Sequence, residues 1–243
     1  MAESVTSIAY YDSDDNARRY HAKTGFDPGR KQEVLDVTLA LLKELCPSGS
    51  LLLELGAGSG LFTRLLAAAR HFGTIHVTDG AKAMLNIARA ELADAEAPLH
   101  FQDVDFSQES WPGQLGAQEF QAVTSSMALH HVQDKLCLFR NVFDVLAPGS
   151  WFVFADHIAG ASPAVDRLIG TERGRVKLPP QSSPAELEAF LQADERSQRK
   201  QGNHCGSLGA YFRHLRGAGF SDVDCVWRSY WLAVFVARRP MAR

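Results

Sequence analysis

The stretch Leu51–Gly60, LLLELGAGSG, constrains this chain more than any other. Leu51-Leu52-Leu53-Glu54-Leu55 is an apolar run broken by one carboxylate, as in a strand buried within a parallel sheet. Gly56, Gly58 and Gly60 follow at alternate positions, and Leu61, Phe62, Leu65 and Leu66 then take up helical spacing. Strand, glycine bend and helix N-terminus together form a concave surface of backbone N–H groups. Without Cβ atoms, the bend lets a flat ligand come close to the chain. The dinucleotide fingerprint wants glycine at its first, third and sixth places, but here Gly60 is fifth and Leu61 sixth, which weakens a pyrophosphate reading.

Two carboxylates sharpen the choice of ligand. Glu54 stands two residues before the first glycine, where it would meet a ligand ammonium or an ordered water. Asp79 closes the next apolar run, Thr74–Thr78, at the spacing of an acid that accepts from a ribose diol.

The rest of the chain alternates in the same way. Val34 to Leu45 forms an apolar helical face, ended by Pro47 and Gly49; Ala81–Ala95 is an alanine-rich helix with Met84 and Leu85 inward. Leu99–Gln102, Phe120–Ser126 and Trp151–Ala155 read as further strands. A helix from about Asp134 lies before the last of these, closed by Pro148-Gly149. This βα alternation predicts an α/β fold with one doubly wound sheet and right-handed crossovers, whose ligands lie outside the strand C-termini. One rim then carries Gly56–Gly60, Asp79, Asp103, Ser126–His131 and Asp156-His157.

Ala159–Gly206 is too long for an ordinary connection. It contains a capping box, Ser183-Pro184-Ala185-Glu186, and reads as a helical cap over the substrate side of the rim. Leu208–Ala218 is helical, and Val223–Trp227 and Tyr230–Val236 fit a closing antiparallel pair. The organisation is an N-terminal arm and helix (1–48), a ligand-binding core (49–158), the cap insertion (159–206) and a C-terminal helix and strand pair (207–243).

Glu54-Leu55-Gly56-Ala57-Gly58-Ser59-Gly60, Asp79 with Met84-Leu85 after it, and Asp103 after a third short strand resemble the motifs of class I S-adenosylmethionine-dependent methyltransferases. The resemblance covers roughly Leu51 to Arg238 and extends to small-molecule enzymes with a helical cap before the last core helix. It implies a seven-stranded, mostly parallel Rossmann-like sheet with its last strand antiparallel, and S-adenosyl-L-methionine as cofactor. The residues it assigns to that cofactor are Glu54, Gly56, Ala57, Gly58, Gly60, Asp79, Gly80, Met84, Asp103, Val104 and Ser126. Asp103 would accept from the adenine amine while the Val104 backbone meets the ring; Asp105 is the competing carboxylate.

Methyl transfer from a sulfonium needs alignment, and a proton acceptor where the nucleophile requires one. The candidate bases are His130, His131 and His157, with Asp156 placed to orient His157. Candidate substrate contacts are Tyr11 and Tyr20 on an arm that closes the site, Asp156, Tyr211, and Arg199 and His204 before the last core helix, where they would meet an anionic acceptor. No metal site is expected, because His157, His204 and Cys205 lack a standard ligand spacing.

The expected partner is a small-molecule methyl acceptor, the expected state a monomer or homodimer. Alternatives are a carboxy-S-adenosylmethionine-type enzyme of transfer-RNA modification, a non-catalytic S-adenosylmethionine-binding partner protein and a nicotinamide oxidoreductase. A formal charge of −3 gives no support to a nucleic-acid footprint, and no apolar stretch approaches membrane-spanning length. Four scattered cysteines and no visible signal peptide make a reducing cytoplasm the expectation.

Overall fold

A computed structural model describes residues 7–22, 28–116 and 118–242. The helices are α1 (Ser7–Tyr11), α2 (Asp14–Ala22), α3 (Pro28–Leu45), α4 (Leu61–Ala68), α5 (Lys82–Glu91), α6 (Lys135–Val145), α7 (Pro163–Lys177), α8 (Pro184–Lys200) and α9 (Leu208–Gly217). The strands are β1 (Leu51–Leu55), β2 (Thr74–Asp79), β3 (Leu99–Asp103), β4 (Phe120–Ser126), β5 (Leu146–His157), β6 (Ser221–Ser229) and β7 (Leu232–Arg238). They form one seven-stranded sheet in the order β3-β2-β1-β4-β5-β7-β6. The first five pair in parallel, and β7 runs antiparallel to both β5 and β6.

Period-two alternation explains the two faces. Leu53, Leu55, Phe152, Phe154 and Phe235 point to one side, where they pack with Phe139 of α6 and Tyr211 and Leu215 of α9. Leu52, Val153 and Val236 point to the other, against Leu35 and Leu42 of α3 and Phe62 and Leu66 of α4. Because both faces are covered, hydroxyls within the central strands bond to neighbouring strands: Thr78 donates to the Glu54 carbonyl, Thr124 to that of Val153 and Ser125 to that of Leu55. Strand order reverses between β1 and β4, so the ligand crevice of such a sheet opens there.

One boundary differs from the sequence reading. Pro148-Gly149 does not end a helix; it lies inside β5, which begins at Leu146 opposite Phe120. A register shift between Phe120 and Ala122 absorbs the irregularity, and the Gly149 N–H donates to the Arg239 carbonyl at 2.8 Å. The polar run Thr171–Lys177 is the second half of α7. Its charges stay ordered by pairing with α8: Arg173 with Asp194 at 2.5 Å, and Lys177 with Asp194 at 3.5 Å.

The capping box of α8 is formed, with the Ser183 hydroxyl and the Glu186 carboxylate each accepting from the other's backbone N–H. The α7–α8 pair is fastened to the sheet through Ile169, which packs with Ala155, Trp231 and Val234. Its ends are drawn together where the Ala159 N–H donates to the Gly206 carbonyl at 2.8 Å. Among the described residues no helix is long and apolar enough to cross a membrane.

Candidate active site

The glycine bend is built as the sequence demands. Gly56 has φ +70°, and a Cβ there would stand 2.3 Å from the Ala128 Cβ and 3.3 Å from the Phe106 ring. Gly58 has φ +58°, but its Cβ would meet only the Met84 Cε, at 3.9 Å. The first glycine therefore admits the protein's own chain, and the second leaves space beside Met84.

Asp79 organises this space. Its Oδ2 accepts from the Gly58 N–H and its Oδ1 from the Ala81 N–H, both at 2.8 Å. Each oxygen keeps a lone pair for a further donor. Burial raises its pKa to about 6, against the lowering effect of those two N–H groups. Glu54 is 1% exposed beneath the bend, and its Oε2 accepts from the Thr63 hydroxyl at 2.7 Å. Burial pushes it to about 7, the Thr63 hydroxyl opposing and Asp79 adding.

Asp103 is exposed at the end of β3, 3.4 Å from the Lys82 ammonium, and the Val104 N–H donates to the Asp79 carbonyl at 3.1 Å. The competing Asp105 is occupied by its own turn, accepting from Ser107 and Gln108. Trp111 is fully buried in the core beneath its loop.

The arm folds over this end of the crevice. Ile8 lies against Gly80, where a Cβ would approach its Cδ1 to 2.6 Å. Asp12 Oδ1 accepts from the Ala83 N–H at 3.0 Å, capping α5 from 71 residues away because Ala81 has no side-chain oxygen to do so. Tyr11 sits edge-on to Tyr20, at 5.5 Å, and to His131, at 5.7 Å, while Ala17 and Met84 pack beside it. Burial raises the Tyr11 phenol well above its ordinary value, with Tyr20, Tyr10 and Asp79 adding, while Tyr20 itself lies 38% exposed at the outer edge.

The histidines gather at the ends of β4 and β5. Met127, just past Ser126, has φ +55°, an uncommon conformation that swings the chain off the strand and into a short 3-10 turn, Leu129–His131. His130 Nδ1 lies 2.6 Å from Asp156 Oδ1, and the Tyr211 hydroxyl donates to Asp156 Oδ2 at 2.5 Å. Tyr211 is held by aromatic stacking on Phe235 at 4.9 Å, itself stacked on Phe154 at 4.8 Å. His157 stacks on His130 at 4.6 Å, and His131 tilts against it at 4.2 Å.

Asp156 thus pairs with His130, not with its neighbour in sequence. Successive residues on a strand point to opposite faces, so Asp156 turns to the α9 side and reaches across to β4.

Burial drives all three imidazoles toward the neutral form. His130 and His131 are lowered to about 3, with Lys135 adding to both and Arg173 to the first; His157 is also lowered well below its ordinary value. At Asp156 burial favours the acid, opposed by the Tyr211 hydroxyl and by Lys135. A neutral His130 that donates Nδ1–H to Asp156 presents Nε2 as the basic nitrogen.

Of the remaining sequence candidates, His204 joins the cluster through its backbone. Its N–H donates to the His130 carbonyl at 2.6 Å, and its own carbonyl accepts from Lys135 Nζ at 3.0 Å. Arg199 is not brought in. It is 79% exposed on α8 and paired with Glu195 at 2.6 Å, as an i,i+4 couple on a solvated helix face.

Residues the sequence did not single out are Asp12, Asn203 and Lys135, the last 5% exposed with its ammonium also donating to the Val132 carbonyl. Asp12 and Lys135 act on Ala83 and His204, far away in the chain, so nothing local marks them; Asn203 bonds Gln198 within its own turn. Among the described residues no three His, Cys, Asp or Glu side chains converge as metal ligands.

A seven-stranded sheet with β7 reversed, a glycine bend at the β1/β4 switch point and an acid closing β2 define a Rossmann-like, S-adenosylmethionine-dependent class. A family model described as a methyltransferase domain matches residues 26–223, and the chain belongs to that family. Its cofactor is S-adenosylmethionine.

A ubiquinone biosynthesis O-methyltransferase from Albidiferax ferrireducens is 24% identical over 213 residues, 83% of this chain and 75% of that one. Among solved structures, phosphoethanolamine N-methyltransferase 2 of Haemonchus contortus with S-adenosyl-L-methionine matches at TM-score 0.67 and 15% identity, over 98% of this chain and 61% of that one. Human N-acetylserotonin methyltransferase matches at TM-score 0.63 and 16% identity, over 99% of this chain and 60% of that one.

Proposed function

We propose that the protein transfers a methyl group from S-adenosylmethionine to a small-molecule acceptor, and that the histidines at the ends of β4 and β5 take the acceptor's proton. The observation that carries this reading is the buried His130–Asp156–Tyr211 chain. It stands on the segment whose Ala128 lies against Gly56 of the ligand bend. When bound, the cofactor supplies an electrophilic methyl group.

The protein's part is to bind, orient and exclude water. The bend from Gly56 to Gly60, with Ala57, would hold the cofactor, and Asp79, whose oxygens each keep a lone pair, would accept from its ribose. Asp103, Val104 and Met84 would border its adenine; Gly80, under Ile8, lets the arm approach. Glu54 and Ser126 would serve its amino-acid end. Tyr11 and Tyr20 close the crevice, and the α7–α8 cap lies on the acceptor side.

Proton transfer then falls to His130, His131 or His157. Burial leaves them neutral at pH 7 but weakly basic, so the Asp156 carboxylate beside His130 is the group that would stabilise the protonated ring. Asp156 fixes the His130 tautomer, and Tyr211 holds Asp156 in turn, as in other sites where a base is oriented by a third group. The relative from Albidiferax ferrireducens, by its name an O-methyltransferase, supports a small-molecule acceptor.

The test is cofactor binding by calorimetry beside methyl transfer to a panel of small hydroxyl and amine compounds. The wild type is expected to bind S-adenosylmethionine and to methylate a member of the panel. Replacement of His130, His131 or His157 by alanine is expected to reduce turnover more than cofactor affinity. Wild-type turnover in all three variants would end the general-base reading.

A further inference from the structure

We propose that Lys135 is a positioning residue of the transfer site: its buried ammonium stitches the turn that carries His130 to the segment that leads into Tyr211. The two outer members of the chain centred on Asp156 are thereby held in one register. The inference rests on the methyltransferase reading above and adds a residue that acts through others.

Local energetics do not recommend a lysine at this place. Lys135 is the first residue of α6, where the unpaired N–H groups favour an anion and disfavour a cation. That end is already capped by Asp134, whose Oδ1 accepts from the Cys137 N–H at 2.9 Å. Lys135 is 5% exposed, and a buried ammonium loses hydration that only good partners replace. Its partners are neutral carbonyls, that of Val132 and, at 3.0 Å, that of His204. An apolar residue would fill the space without a charge to desolvate, so the reason for the lysine lies in what its two bonds connect.

They connect segments far apart in the chain. Val132 closes the 3-10 turn Leu129–His131, its N–H donating to the Leu129 carbonyl at 3.0 Å. His204 lies at the exit of the cap, 69 residues beyond Lys135, and its N–H donates to the His130 carbonyl at 2.6 Å. The exit is therefore fastened twice to one turn, directly at His130 and through Lys135 at Val132. From His204 the chain passes Gly206, whose carbonyl accepts from the Ala159 N–H at 2.8 Å. It then reaches Ser207, whose hydroxyl caps α9 by accepting from the Ala210 N–H at 3.3 Å. Tyr211 stands in the first turn of α9 and donates to Asp156. A displaced exit would move phenol and imidazole apart on the two sides of that carboxylate.

The ammonium also acts on this chain by charge. Asp156 and Cys205 favour it against burial, and it favours an ionised Asp156 in return. At His130 burial is the larger cause of the neutral ring, and Lys135 adds to it ahead of Arg173. His131, His204 and His214 feel the same charge, after burial. An ionised Asp156 beside a neutral His130 is the state in which the carboxylate holds the Nδ1 proton and Nε2 stays free.

The experiment compares the full chain of the wild type with Lys135→Met and Lys135→Arg by NMR at neutral pH. Three quantities are read: exchange of the His204 amide, the ring nitrogens of His130 in isotope-labelled protein, and S-adenosylhomocysteine affinity. The wild type is expected to show His130 as a single neutral tautomer with Nδ1 protonated. Lys135→Met is expected to speed His204 exchange by about tenfold or more and to turn the single tautomer into a mixture. Its S-adenosylhomocysteine constant should stay within about twofold of wild type, since neither bond of Lys135 lies at the glycine bend. Lys135→Arg, which keeps the charge and the donors, should restore the tautomer. A measurement on the wild type alone guards against a variant that fails to fold. With label at lysine Nζ, the Lys135 ammonium protons should exchange about tenfold or more slowly than those of exposed lysines.

Fast exchange of that ammonium, or a wild-type His130 without the single Nδ1-protonated form, would overturn the inference. So would a folded Lys135→Met protein that keeps the tautomer or the slow His204 amide, or that loses S-adenosylhomocysteine, and so would failure of Lys135→Arg to restore the ring signature. Each of these leaves the methyltransferase reading intact. Failure of the wild type to bind S-adenosylhomocysteine would instead remove that reading, and this inference with it.

Discussion

Alanine at Gly58 and at Gly56 separates what the bend does for the ligand from what it does for the fold. Both residues have positive φ, which costs an ordinary side chain roughly 1–2 kcal/mol. At Gly58 that is nearly the whole structural penalty, because the new Cβ meets nothing closer than Met84 Cε at 3.9 Å. At Gly56 the Cβ would also lie 2.3 Å from the Ala128 Cβ, and overpacking of this kind adds about 1–3 kcal/mol. The expected stability losses are therefore ~1–2 kcal/mol for Gly58→Ala and ~2–5 kcal/mol for Gly56→Ala.

Cofactor affinity should run the other way for the milder variant. The methyl group of Gly58→Ala stands in the space reserved for the ligand, beside the N–H that Asp79 holds, and should weaken S-adenosylmethionine by at least about tenfold, or ~1.4 kcal/mol. Urea unfolding gives the first quantity and calorimetry the second. A Gly58→Ala protein with wild-type affinity would show that the cofactor does not lie on this bend. Equal destabilisation by the two variants would refute the packing argument.

Three further outcomes are expected. Burial raises Asp79 to about 6, so the folded chain holds that proton more tightly than the unfolded one does. Its share of stability is present below the ordinary carboxylate range and lost as pH rises through about 6. A ribose that donates to the ionised form requires Asp79 to lose its proton on binding, so calorimetry should show S-adenosylmethionine affinity falling below pH 6 by up to about tenfold per unit, and Asp79→Asn should abolish that dependence. Asp12→Ala removes the cap of α5 and should cost about 0.5–2 kcal/mol, seen as faster hydrogen exchange at the Ala83 amide. Tyr211→Phe leaves Asp156 Oδ2 without its donor and should destabilise by about 1–3 kcal/mol, with a larger fall in turnover than in cofactor affinity measured on the same sample.

The sequence alone determined whatever is set by local periodicity and backbone freedom. An apolar run followed by glycines at 56, 58 and 60 can only be strand and bend, and alternating strands and helices can only cover both faces of one sheet. The capping box of α8 was legible for the same reason, since all its partners lie within four residues. The tertiary structure alone decided which side chains meet. His130 is paired with a carboxylate 26 residues away, and that carboxylate with a phenol 55 residues further on. Asp12 caps a helix it never adjoins in sequence, and Arg199 is left facing solvent on α8. Such pairings follow from strand order, from the pleat that turns Asp156 and His157 apart, and from the burial that keeps the histidines neutral. None of these is a property of a short window of residues.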